Sequence, residues 1–139
     1  DIDLYENIPE MVSLCKKYVD LISNVKKSLK DRYVAIRSNE ILHAGIQLIK
    51  YSPGEIVKEH ADGLFDASLP PSSSFATMMV YLNKPLEGGG TYFTRQKLIV
   101  EPEIGQCLIF PPYHTHIHGS IAATSERYIL STWLHLKHN

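Results

Sequence analysis

The chain has 139 residues, 44% of them hydrophobic, enough for one compact domain with its own core and too few for two. Fourteen basic against fifteen acidic residues give a formal charge of −1, so no broad field draws the protein to nucleic acid or to an anionic membrane, and neither is expected as a partner. No run of 18 or more apolar residues is present, and the opening DIDLYENIPEM lacks the charged-then-apolar order of a secretion signal. The expected location is therefore cytoplasmic; an aspartate start is also what a processed or trimmed product would carry. Cys15 and Cys107 are the only cysteines and lie far apart in sequence, as expected of free, buried thiols in a reducing compartment.

In chain order, Ile8, Met11, Val12, Cys15, Val19, Ile22 and Leu29 recur at three- and four-residue steps with lysines between them, which predicts an amphipathic helix from about Pro9 to Leu29. Pro9 suits a first turn and the lysine-rich end suits the negative pole of the dipole. Such a helix covers a sheet and carries no chemistry of its own. After a transition through Arg37, Ser38 and Asn39 the pattern becomes short apolar or alternating runs. Strands are predicted at Ile46–Tyr51, Ile56–Ala61, Ala76–Asn83, Thr91–Thr94, Lys97–Val100, Gln106–Phe110, His116–Gly119 and Arg127–Leu136. Turn residues divide them: Ser52-Pro53-Gly54, Pro70-Pro71-Ser72, Gly88-Gly89-Gly90, Glu103-Ile104-Gly105 and Pro111-Pro112. Seven or eight strands after one helix predict a mainly β sandwich or barrel with N-terminal helical cover, the helical part about 1–40 and the β core about 44–137 of one domain. The segment Gly63–Phe75, with Asp66 inside it, is the longest loop candidate.

The chemistry concentrates in His60-Ala61-Asp62, His118 and Arg127. Residues i and i+2 of a strand share a face, so His60 and Asp62 can meet one metal from the end of a strand; taken alone, the pair reads more simply as a solvated loop edge. His114, His116 and His118, spaced by two, would line one face of a strand, either as an exposed ladder or with one of them as a ligand. His118 lies nine residues before Arg127, the length of a strand, a turn and the start of the next, which favours it; His116 is the alternative. Two imidazoles and a carboxylate suit a divalent iron that keeps positions open, and an inward arginine demands a carboxylate in answer, unless it lies on an edge strand at the surface. Tyr81 is a second donor or a core tyrosine.

Together with Tyr51-Ser52-Pro53-Gly54, Val80-Tyr81-Leu82-Asn83, Gly88-Gly89-Gly90-Thr91-Tyr92-Phe93, Gly105-Gln106-Cys107-Leu108-Ile109-Phe110-Pro111, Arg127-Tyr128 and Trp133, these residues resemble the iron(II)/2-oxoglutarate dioxygenases of the prolyl 4-hydroxylase-like group, over about residues 46 to 136. The chain departs from that pattern in carrying Ser120-Ile121 or Ala122-Ala123 where the family has a proline-valine pair after the distal histidine.

The resemblance implies a double-stranded β-helix, or jelly roll, with Fe(II) held by His60, Asp62 and His118. It further implies 2-oxoglutarate as cosubstrate with its far carboxylate on Arg127 and Tyr81, O2 as oxidant, and ascorbate as a candidate reductant. The expected reaction is hydroxylation of an unactivated C–H bond with release of succinate and CO2, the substrate being a prolyl residue of a peptide or protein, or alternatively a free amino acid or other small molecule. Two rivals of another class are a non-catalytic β-barrel that uses the histidine ladder with His60 for a closed zinc site, and an interaction module; neither gives Arg127 or Tyr81 a purpose.

Overall fold

Pro9 opens a helix, α1 (Pro9–Arg32), that runs past the expected end at Leu29. Arg37 folds back on it and donates from Nε to the Lys30 carbonyl at 3.4 Å and from Nη2 to the Asp31 carbonyl at 3.3 Å, answering oxygens that the final turn leaves open. Its buried positions are Tyr18, Ile22 and Val25, so the stripe follows 18, 22 and 25 and leaves the expected members Cys15 and Val19 exposed. A 3-10 turn at Val34–Ile36 follows. The computed structural model describes residues 9–63 and 74–137. Within these, residues up to Glu40 form one unit and residues from Ile41 onward another. Ile8, Asp66 and the turn at Pro70-Pro71-Ser72 lie outside the described residues, as do the side chains of Met11 and Val12.

Among the described residues the second unit has eight strands: β1 (Ile41–His43), β2 (Gln47–Tyr51), β3 (Ser74–Tyr81), β4 (Thr91–Phe93), β5 (Leu98–Val100), β6 (Cys107–Phe110), β7 (His118–Ser120) and β8 (Arg127–Leu136). All pairings are antiparallel. β8 organises the larger sheet: β3 lies along one edge, β6 beyond β3, and β1 and β2 share the other edge. The smaller sheet runs β5-β4-β7. Two antiparallel sheets of this kind fit the sandwich that the residues predict and the jelly roll that the resemblance implies. β8 alternates two faces, Arg127, Ile129, Ser131 and Trp133 turned toward a cavity and Leu130, Thr132 and Leu134 buried on the other side. β3 is buried over almost its whole length, which explains its near-continuous apolar reading. Met79, Tyr81 and Ile129 are the centre of the core, packed by Ile49, Tyr51, Val100 and Leu108.

Several local expectations are corrected. Ile56–Ala61 is not a strand: His60 alone exchanges both backbone bonds with His118, while the Val57 amide donates to the Ser120 hydroxyl at 2.8 Å in place of a ladder carbonyl. The strand missed by the sequence reading is β1, whose three residues are too short to display a period. His116–Gly119 is also divided, because His114–His116 coil into a 3-10 turn and the strand begins at His118. The histidine ladder therefore does not exist as one face. Both cysteines are free, but Cys15 is exposed rather than buried; burial of Cys107 pushes its thiol up to about 11.

At the departure from the family pattern, Ala123 is buried and bridges Gly88 across the turn. Gly88 has φ +71°, and a Cβ there would collide with the Ala122 carbonyl oxygen. Gly88→Ala should therefore cost about 2 kcal/mol in denaturant unfolding. Gly45→Ala meets nothing within 4 Å, so it should change stability by less than about 0.5 kcal/mol or raise it slightly.

Candidate metal centre and its cavity

His60, Asp62 and His118 place one potential ligand atom each within 4.8 Å of the others. Among the described residues they are the one such group, and neither His114 nor His116 belongs to it. One strand and the bridge-and-turn segment 60–62 supply them. His118 starts β7, with its ring wedged among Phe110 (4.7 Å between centroids), Phe93 (5.7 Å) and His60 (4.4 Å). His60 is tied to the same strand by reciprocal backbone bonds of 2.9 and 3.0 Å. Asp62 lies in the turn after it, outside any strand, so its proximity to His60 does not come from i, i+2 geometry on a strand.

Hydrogen bonding settles which imidazole nitrogen faces the site. His60 Nδ1 donates to the Lys58 carbonyl at 2.8 Å and His118 Nδ1 to the His116 carbonyl at 3.0 Å. A carbonyl only accepts, so both Nδ1 atoms carry hydrogen and both Nε2 atoms are left to the site. They converge on Asp62 Oδ1, at 3.0 Å from His60 and 3.6 Å from His118. Asp62 Oδ2 accepts from the Thr77 hydroxyl at 2.5 Å. The hydrogen bond to Asp62 holds the His60 imidazole above its usual range despite burial. Burial lowers His118. Burial alone would raise the Asp62 carboxyl, but the bonds from His60 and Thr77 outweigh it and hold it below its usual range.

The three residues line a cavity of about 140 Å³ between the sheets, together with Thr77, Thr91, Arg127 and Trp133. The cavity is closed at one end, where Arg127 is 4% exposed, and more open at the other, where the His60 side chain is 36% exposed. Arg127 sits with its guanidinium carbon 5.0 Å from the Tyr51 ring and 5.6 Å from the Tyr81 ring. Its Nη2 donates to the Thr91 hydroxyl at 3.4 Å, and its Nε has no partner among the described residues. No carboxylate among them pairs with it either. A buried cation in this state is costly, and a bound carboxylate would relieve it.

Tyr81 is fully buried and its hydroxyl lies 2.7 Å from that of Thr91, so it stands behind Thr91 while Tyr51, Thr91 and Arg127 form the cavity wall. Burial raises both Tyr51 and Tyr81, which keeps their phenols protonated. Thr77, Tyr51 and Thr91 were missed as site residues by the sequence reading. Tyr51 reaches Arg127 because β2 and β8 pair in that register, which no spacing along the chain records.

Residues 46–135 match the model of the 2OG-Fe(II) oxygenase superfamily. The chain is 27% identical to a protein of Acanthamoeba polyphaga mimivirus provisionally named a prolyl 4-hydroxylase; the match covers 63% of this chain and 43% of that protein, so the chain spans under half the length of this relative. A viral collagen prolyl hydroxylase from Paramecium bursaria Chlorella virus-1, solved with 2-oxoglutarate, superposes with a TM-score of 0.67 at 26% identity, over 95% of this chain and 76% of that one. A Pseudomonas putida prolyl-4-hydroxylase shares the fold at 19% identity, with a TM-score of 0.69 over 89% of this chain and 66% of its own.

The opposing surroundings of the two imidazoles have a measurable consequence in metal-free protein. By NMR titration His60 should titrate above the ordinary 6.5 and His118 below it. Asp62→Asn removes the charged acceptor that raises His60, so its midpoint should fall; an unmoved midpoint would exclude the hydrogen bond as its cause.

Proposed function

The chain belongs to the 2OG-Fe(II) oxygenase superfamily, and we propose that it is a 2-oxoglutarate-dependent dioxygenase that hydroxylates a prolyl residue of a peptide or protein. The observation that carries this reading is a buried arginine, lacking any carboxylate among the described residues, in the same small cavity as two imidazoles and a carboxylate. The donor set fits iron(II): both Nε2 atoms are free of other carbonyl partners and converge on one carboxylate oxygen. Bound there, iron(II) with 2-oxoglutarate and O2 supplies the oxidising power to insert one oxygen atom into a C–H bond, the other leaving in succinate beside CO2.

The protein's part is to hold and to exclude. His60, Asp62 and His118 would hold the metal with three protein ligands. Arg127 receives the far carboxylate of 2-oxoglutarate through charge-assisted bonds, strengthened by the low dielectric around it. Thr91 and Tyr81 steady the guanidinium, and Thr91 adds a hydroxyl to the cavity wall at the same end. Phe93 and Phe110 keep water from the back of His118. A cavity of about 140 Å³ has room for a small dicarboxylate and not for a peptide, so the residue to be hydroxylated is presented at the open end beside His60. The names of the viral relatives favour a prolyl residue over a free amino acid. The two free cysteines suit a cytoplasmic setting, and ascorbate is a candidate reductant.

Succinate release from 2-oxoglutarate by the purified protein with Fe(II), ascorbate and O2 should be stimulated by a proline-rich peptide, with a mass gain of one oxygen on proline. Stimulation by free amino acids alone would overturn the peptide assignment. Asp62→Ala should abolish turnover and leave the fold intact by circular dichroism. Arg127→Ala should weaken 2-oxoglutarate at least about 30-fold, near 2 kcal/mol, with metal affinity unchanged; equal 2-oxoglutarate affinity would remove the clamp role. Because His60 must give up a proton that Asp62 helps it keep, Co(II) affinity should fall as pH drops through a midpoint above 6.5.

A further inference from the structure

We infer that Thr77 is a positioning residue that fixes the Asp62 carboxylate so that Oδ1 alone faces a bound metal. This rests on the metal-centre reading above. The two histidines are held by their own elements, His118 by β7 and His60 by its backbone bridge to that strand and its Nδ1 bond to Lys58. Asp62 has no such support, because it lies in a turn and its backbone belongs to no ladder. Beyond the His60 Nε2 contact to Oδ1, what holds its side chain comes from across the cavity. Thr77 lies in β3, hydrogen-bonded on both sides, opposite Phe110 of β6 and Trp133 of β8, and is 3% exposed. A β-branched side chain on a doubly paired strand has little freedom, so its hydroxyl is a fixed point.

That hydroxyl donates to Asp62 Oδ2 while Oδ1 is turned toward the two Nε2 atoms. The carboxylate is thereby divided, one oxygen committed to the sheet and one to the centre. A carboxylate free to offer both oxygens would fill a second position on the metal, and a site that must admit a bidentate cosubstrate and O2 cannot spare it. Thr77 thus sets both the place of the third ligand and the number of open positions.

Two opposed substitutions separate the hydroxyl from the packing. Thr77→Val keeps the shape and removes the donor; Thr77→Ser keeps the donor and removes the methyl. The readouts are Co(II) affinity and the visible absorption of the Co(II) complex, beside the metal-free melting temperature. Thr77→Val should lose roughly 10- to 100-fold in Co(II) affinity and alter the Co(II) band, while Thr77→Ser stays within roughly threefold of the unmodified protein with the same band. Thr77→Ala, which also lacks the hydroxyl and needs no extra room, is read in the same way should Thr77→Val not fold. Unmodified affinity and band in the hydroxyl-free variants, with Asp62→Ala losing Co(II), overturn the inference and leave the metal centre standing. Equal losses in Thr77→Ser and Thr77→Val also overturn it, assigning the effect to packing. Failure of the unmodified protein to bind Co(II) overturns the metal centre and this inference with it.

Discussion

The reciprocal pair of backbone hydrogen bonds between His60 and His118 is the interaction on which the candidate site depends. It is an isolated bridge, the remnant of a strand, yet it brings together residues 58 positions apart and leaves their rings 4.4 Å from one another. Once the bridge is made, each imidazole has a backbone carbonyl within reach of Nδ1, and the tautomer and direction of both rings follow. Gly119 is part of the same constraint: a Cβ there would run into the Tyr92 ring and the Val57 carbonyl, so only glycine lets the segment before His60 lie this close to β7.

The other end of the cavity is governed by charge. A guanidinium buried to 4% exposure is tolerable when its stem and plane are packed and its donors are answered. Tyr51 and Tyr81 provide the packing, and Thr91 answers one donor. The remaining donor capacity is what a ligand carboxylate would use. Because Arg127, Ile129, Ser131 and Trp133 occupy alternate positions of β8, a single strand runs from the arginine end along the cavity wall, with an apolar rung at Ile129 in between. The arginine is thus placed by strand geometry, whereas of the three candidate ligands only His118 lies on a strand.

Much of this was readable from residues and spacing. His60, Asp62, His118 and Arg127 were all singled out in the sequence, and the structure brings all four to one cavity. The longer elements were legible too, α1 from its helical repeat, β3 from its near-continuous apolar run and β8 from its length and alternation. Two segments were not: the three residues of β1 show no pattern, unlike the equally short β4 and β5, and Ile56–Ala61 has the composition of a strand but finds a bridge partner only at His60. His114 to His118 carries a period of two along the chain, and the backbone discards it by turning at His114–His116.

By itself, then, the sequence singled out the candidate side chains for the chemistry and the helical and strand periods of the longer elements, because both are properties of residues at fixed local offsets. Only the tertiary structure decided that His118 rather than His116 joins His60 and Asp62, that Thr77 holds Asp62 from another strand, and that Tyr51 stands over Arg127. Those outcomes depend on the register between strands distant in the chain and on where a turn interrupts a ladder. Register is a collective result of pairing and packing, and no single stretch of residues encodes it.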